Sequence, residues 1–209
     1  SQCGSFELKA IATPENTALL KEGNIIWKND DEEAGIIEHK RLISEVTVMN
    51  LNKLILTNNA CYKAGKTIIP KGILVHSTGA NNPWLKRYVG PDDGLLGKNQ
   101  YNNHWNQDKP DGRQVCVHAF IGKLTDGTIA TYQTLPWNYR GWHSGGSANN
   151  THIGFEICED GLSDSTYFGK VYREAVELCV YLCKLYGLTE KNILCHSEGY
   201  KQGIEFAKI

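Results

Sequence analysis

From residue 53 onward the apolar positions fall into short runs, separated by turn residues, and one long helical stretch. Gly72-Ile73-Leu74-Val75 is an unbroken apolar run ending at His76, the composition of a strand buried on both faces. Asn82-Pro83-Trp84-Leu85-Lys86-Arg87-Tyr88 opens with a proline and predicts a helical turn. Residues 115–124 predict a second strand, reversed at Thr125-Asp126-Gly127 into Thr128-Ile129-Ala130-Thr131-Tyr132, because Asp-Gly between two β-type runs signals a hairpin. Ile153-Gly154-Phe155-Glu156-Ile157-Cys158 reads as a third central strand. Asp164 then opens a helix over residues 165–186. Val171, Ala175, Leu178, Cys179, Leu182 and Leu185 recur on one face of it, and Gly187 stops it. Ile193-Leu194-Cys195 is the last strand and delivers His196 at its end. The alternation predicts an α/β fold: a mixed central β-sheet, with at least one antiparallel hairpin, flanked by helices.

The first part of the chain follows no such rule. Phe6 to Ile11 alternate like a strand, Thr13-Pro14-Glu15-Asn16 reads as a turn, and the acidic run from Asp30 to Glu33 as a solvated loop. Residues 41–54 carry a mixed pattern compatible with strand or helix. The expected organisation is an N-terminal extension or small appended unit over residues 1–52 and one larger domain over residues 53–209.

Composition narrows the partners. Against 22 Lys and Arg stand 23 Asp and Glu, a net charge of -1, which excludes a broad electrostatic grip on nucleic acid or an anionic membrane. No apolar run approaches the length of a transmembrane helix, and there is no tandem repeat. The seven cysteines are an odd number. Cys116, Cys158 and Cys195 sit inside apolar runs, and Cys179 and Cys183 are one helical turn apart, so all are expected as reduced, core-filling thiols. No signal peptide is recognisable, and Ser1 in place of Met points to a trimmed or internal start.

Against this background a few polar residues stand out. His76 and His196 each follow an apolar strand end and each precede Ser. Strand ends of open α/β sheets bind ligands, and two imidazoles on rigid strands suit zinc, although a strand-end His also serves as a satisfied structural residue. Glu156 is the one charged residue in its strand run. A carboxylate there is either a functionally tuned acid or base or one half of an ion pair. Gly141-Trp142-His143-Ser144-Gly145-Gly146 forms either a loop that lets backbone approach a ligand or a plain surface turn, and His118 alone reads as a core histidine.

Taken in order, Ile73-Leu74-Val75-His76-Ser77-Thr78, Val117-His118-Ala119-Phe120-Ile121, Gly141-Trp142-His143, Ile153-Gly154-Phe155-Glu156-Ile157 and Leu194-Cys195-His196-Ser197 resemble the type-2 family of N-acetylmuramoyl-L-alanine amidases. That family includes phage endolysins and is similar in fold to peptidoglycan recognition proteins. The resemblance spans residues 60–204. Asn81-Asn82-Pro83-Trp84 and Asn102-Asn103-His104-Trp105-Asn106 are most similar to amidases of clostridial bacteria and their phages.

The resemblance implies a Zn2+ cofactor on His76 and His196, Glu156 as catalytic base, and Lys201 as the counterpart of the family's lysine. It also implies His118, Trp142 and His143 along the substrate cleft, with Trp84 and Trp105 as further faces for sugar rings. A third ligand, Cys or Asp, ordinarily follows the second His in this family. After His196 the sequence has neither, which leaves Glu205 as a substitute carboxylate or a site of two histidines. The expected activity is hydrolysis of the bond between N-acetylmuramic acid and L-alanine in bacterial peptidoglycan, by a monomer made in the cytoplasm and acting on the wall after release. The alternatives are a module that binds muropeptide without cutting it and a phage-particle protein carrying a degenerate amidase domain.

Overall fold

The computed structural model describes residues 25–27, 34–36 and 49–204. The chain divides into two units, Ser1–Thr47 and Val48–Ile209. In the first, β1 (Ile25–Trp27) pairs antiparallel with β2 (Ala34–Ile36), with Ile26 opposite Gly35. The strand expected over residues 6–11, the turn at 13–16 and the acidic loop at 30–33 lie outside the described residues.

The second unit is built on a six-stranded mixed sheet in the order β3-β6-β5-β7-β4-β8. Its strands are β3 (Leu51–Lys53), β4 (Gly72–Asn81), β5 (Ala119–Lys123), β6 (Ile129–Gln133), β7 (His152–Glu159) and β8 (Ile193–Cys195). The four strands β5, β7, β4 and β8 run parallel; β6 turns back antiparallel to β5, and β3 follows β6 in parallel. The β5–β6 hairpin closes as expected. Gly127 takes φ +84°, which a side chain would resist, and Asp126 Oδ1 accepts the Thr128 N–H at 2.9 Å.

Period-two alternation assigns the two faces of the sheet. Ile73, Ala119, Ile121, Ile153 and Phe155 point to α2 (Ser165–Tyr186) and meet its buried stripe of Tyr167, Val171, Ala175, Leu178, Cys179 and Leu182. The intervening residues Phe120 and Cys158 point the other way, into a second core with Leu85, Tyr88, Val89, Leu96 and Tyr132. The helix begins and ends where its local signals say. The Asp164 carboxylate accepts the N–H groups of Thr166 and Tyr167, and Gly187 closes the end in a left-handed conformation. Leu185 departs from the expected face and is 50% exposed. The stripe drifts with four-residue spacing, so Cys183 and Tyr186 make the last core contacts instead.

Three expectations are corrected. The strand expected from residue 115 starts only at Ala119. Upstream of it, Cys116 forms an isolated antiparallel bridge with Trp142, which takes its backbone groups away from the sheet. Cys61, in α1 (Ala60–Ala64), and Cys116 are joined by a disulfide rather than held as thiols. Among the described residues, free thiols remain at Cys158, Cys179, Cys183 and Cys195, but Cys195 is exposed, on β8 at the edge of the described sheet. Among the described residues, no helix is long and apolar enough to cross a membrane.

Candidate active site

Parallel registers assemble the polar cluster. His76 on β4 stands opposite Glu156 on β7, and one residue earlier Val75 stands opposite Cys195 on β8. His76 and Glu156 both fall on the sheet face turned away from α2, alternating with Val75 and Phe155, which pack with the α2-side core. Where β8 ends, α3 (His196–Lys201) begins, with His196 as its first residue. Glu198 holds that junction by accepting the Cys195 N–H at 2.8 Å, and that backbone donor keeps its carboxyl below the ordinary range. Two elements that are far apart in sequence are thereby brought level, and His76 Nδ1 lies 3.2 Å from His196 Nδ1.

His76 therefore lies within the strand β4 rather than at its end, and it is buried. Its other nitrogen, Nε2, lies 3.1 Å from His143 Nδ1. Burial holds the His76 imidazole neutral, with its pKa lowered to about 4, and the neighbouring His196 adds to the effect.

The third imidazole is placed by glycines. A Cβ on Gly154 would fall 2.6 Å from His143 Cγ, and one on Gly141 would fall 2.7 Å from His143 Cδ2. The His143 and Ser144 N–H groups both donate to Asn149 Oδ1, at 2.9 and 3.1 Å. Asn149 is buried and positions the loop. Nothing in the sequence distinguishes it from its neighbour Asn150.

His118, expected to line the cleft, is 0% exposed and serves as a tie. Its Nε2–H donates to the Tyr139 carbonyl at 2.8 Å, while Nδ1 accepts the Gly154 N–H at 3.0 Å. Complete burial holds it neutral, with a pKa near 4 despite those backbone bonds. Trp142 is the outward-facing member, 42% exposed, with the Arg140 guanidinium 4.8 Å above its ring. Trp105, expected as a sugar platform, packs edge-on against Tyr88 and Phe120 instead. The Trp84 ring has the Lys86 and Lys123 ammonium groups 5.6 and 5.9 Å from its centre. Lys201 is exposed at the end of α3, and Glu205 lies outside the described residues.

The cluster fits two of the ligands of a tetrahedral zinc. Ligand nitrogens at ordinary Zn–N distances stand about 3.3 Å apart on a tetrahedron. The observed separation between the two Nδ1 atoms is 3.2 Å. Among the described residues, no third His, Cys, Asp or Glu completes a cluster around that point.

Comparison with known proteins identifies the family. The family model described as N-acetylmuramoyl-L-alanine amidase matches residues 65–204. Over 97 residues the chain is 38% identical to the N-acetylmuramoyl-L-alanine amidase XlyA of Bacillus subtilis strain 168, a stretch covering 41% of this chain and 32% of that protein. The chain thus spans about a third of the length of that relative. Two solved structures are similar at 26% identity and a TM-score of 0.50: a mutant endolysin from Bacillus subtilis, with 75% of this chain and 88% of that one covered, and the catalytic domain of XlyA, with 74% and 88% covered. The family match takes in more than half of the 209 residues and includes every member of the histidine cluster, so this chain belongs to the N-acetylmuramoyl-L-alanine amidase family.

Proposed function

We propose that the chain hydrolyses the amide bond between N-acetylmuramic acid and L-alanine in bacterial peptidoglycan, with zinc held by His76 and His196 and Glu156 as the general base. The observation that carries this reading is the 3.2 Å approach of the two Nδ1 atoms, with Glu156 in register beside His76. When bound there, zinc supplies Lewis-acid polarisation of the amide carbonyl and makes water more acidic.

The chain's own residues do the rest. The Glu156 carboxylate takes the proton from the attacking water and returns it to the departing L-alanine nitrogen, so it ends in the state in which it began. His143 Nδ1 accepts from His76 Nε2–H, which leaves His76 Nδ1 as the lone-pair donor toward His196. His143 is thus a positioning residue for His76 rather than a wall of the cleft. Trp142, exposed next to it, presents a ring face to sugar or peptide. The assignment of Lys201 rests on its place after His196, and that of Glu205 on its being the available carboxylate in the C-terminal segment.

The test is zinc content together with product. The purified chain supplied with zinc is expected to retain a single ion and to release free L-alanine amino groups from purified peptidoglycan. His76→Ala is expected to lose both properties, and Glu156→Gln to keep the zinc and lose the activity. Having only two converging ligands among the described residues favours the second reading, a muropeptide-binding module. A zinc-supplied chain that sediments with walls but frees no amino groups establishes that reading instead.

A further inference from the structure

A second polar feature lies beside the histidine cluster and takes no part in it. A surface depression of about 200 Å³ is lined by Lys66, Arg140, Gln114, Trp142 and the disulfide residue Cys61, with no acidic side chain in its wall. Thr67 and Tyr139 form an antiparallel bridge. The Arg140 N–H bonds the Lys66 carbonyl and the Ile68 N–H bonds the Asn138 carbonyl, each at 2.8 Å. That register sets Lys66 directly opposite Arg140. Like charges placed directly opposite each other on paired backbone segments repel, and an anion between them would offset that repulsion. Among the described residues neither cation is in an ion pair.

The guanidinium is also held ready. Arg140 Nε–H donates to Asn150 Oδ1 at 2.6 Å, and the group stacks over Trp142 at 4.8 Å. Its terminal nitrogens are left as an oriented fork, the geometry that recognises a carboxylate or phosphate. Trp142 joins this depression to the chemistry, because the next residue is His143, which touches His76.

We infer that the Lys66–Arg140 depression binds an anionic oxygen group of the cell-wall polymer and anchors the wall beside the catalytic histidines. The inference rests on the wall being the substrate. The anion is either a stem-peptide carboxylate or the phosphodiester of a wall-linked polymer.

Sedimentation with insoluble walls tests it, using the full chain with Glu156→Gln so that nothing is cut. Three wall preparations serve as probes: untreated, stripped of phosphodiester polymers with hydrofluoric acid, and with stem carboxylates converted to amides by carbodiimide and ammonia. Adding Lys66→Gln or Arg140→Gln is expected to raise the half-saturating concentration of untreated wall by about three- to tenfold. Lys63→Gln removes an equal charge from an exposed pair with Asp108, outside the depression, and is expected to change nothing. At least one wall treatment should weaken the Glu156→Gln chain by the same factor without weakening the Lys66→Gln chain further, and that treatment names the anion.

Equal binding by the three lysine and arginine variants overturns the inference. So does a treatment effect as large in the variants as in their parent, or a parent that does not sediment with any wall. Lys66 is exposed, so Lys66→Gln stays informative if Arg140→Gln, which loses the Asn150 contact, fails to fold. Binding is read here without hydrolysis. A chain that shows the pattern but never cuts sinks the amidase reading alone, and one that cuts without the pattern sinks the depression alone.

Discussion

Gly154 and His143 occupy one volume between them. A Cβ on the glycine would sit 2.6 Å from His143 Cγ, and the same glycine's N–H is held by His118 Nδ1 at 3.0 Å. Gly154→Ala is therefore expected to fold but to push the His143 ring off His76. Losing a partner that orients a metal ligand costs about 10- to 100-fold in activity or metal affinity. Peptidoglycan hydrolysis beside a thermal melt checks this. Unchanged turnover would show that His143 does not hold His76 for the reaction.

The buried His118 makes stability depend on pH. Its folded pKa is near 4, below the ordinary 6.5, so the unfolded chain binds a proton that the folded chain refuses. The stabilisation is complete above pH 6.5 and is lost as pH falls through about 4. The difference corresponds to about 3 kcal/mol. Melting temperatures recorded from pH 7 to pH 4 should fall more steeply for the parent than for His118→Gln, which cannot titrate but keeps an amide donor for the Tyr139 carbonyl. Parallel curves refute the assignment.

The Cys61–Cys116 bond closes a loop between residues 55 positions apart. Chain entropy alone assigns such a crosslink about 4 kcal/mol. Reductant should lower the melting temperature of the parent and leave a Cys61→Ser, Cys116→Ser double variant unmoved. A parent indifferent to reductant, with two extra titratable thiols, would show that the bond is not formed.

Leu178 is fully buried at the centre of the α2 stripe. Leu178→Ala is expected to cost about 2–5 kcal/mol, the range for emptying a packed core position. Chemical denaturation measures it. A cost under 1 kcal/mol would mean that α2 does not dock on this face of the sheet.

Much of the architecture is local and was readable as such. Asp164 and Gly187 bracket α2 because capping needs only the nearest backbone donors and acceptors, and Asp126-Gly127 marks the hairpin because the turn conformation is a property of those residues. His76, Glu156 and His196 could be picked out because each interrupts an apolar run. His118 reads as a core histidine from its own strand and is buried as such, whereas the resemblance places it on the cleft, since a family pattern carries no account of what packs above a given residue. Trp105 is half-buried against Tyr88 and Phe120 and Trp142 is exposed, a difference that residue type does not predict for the same reason. Asn149 carries no signal at all, because its role is to accept two backbone N–H groups from a loop that folds over it.

By itself, then, the sequence determined the kinds of element, their main boundaries and the family, and it singled out a short set of candidate residues. Those features follow from side-chain period, capping and residue type, which act over a few positions. The tertiary structure alone decided that β4 lies between β7 and β8, and hence that His76 meets both Glu156 and His196. It decided equally that Cys61 reaches Cys116 and that Lys66 faces Arg140. Each of these pairs is joined by strand register or loop packing between distant segments, and register is a property of two partners that neither segment specifies alone.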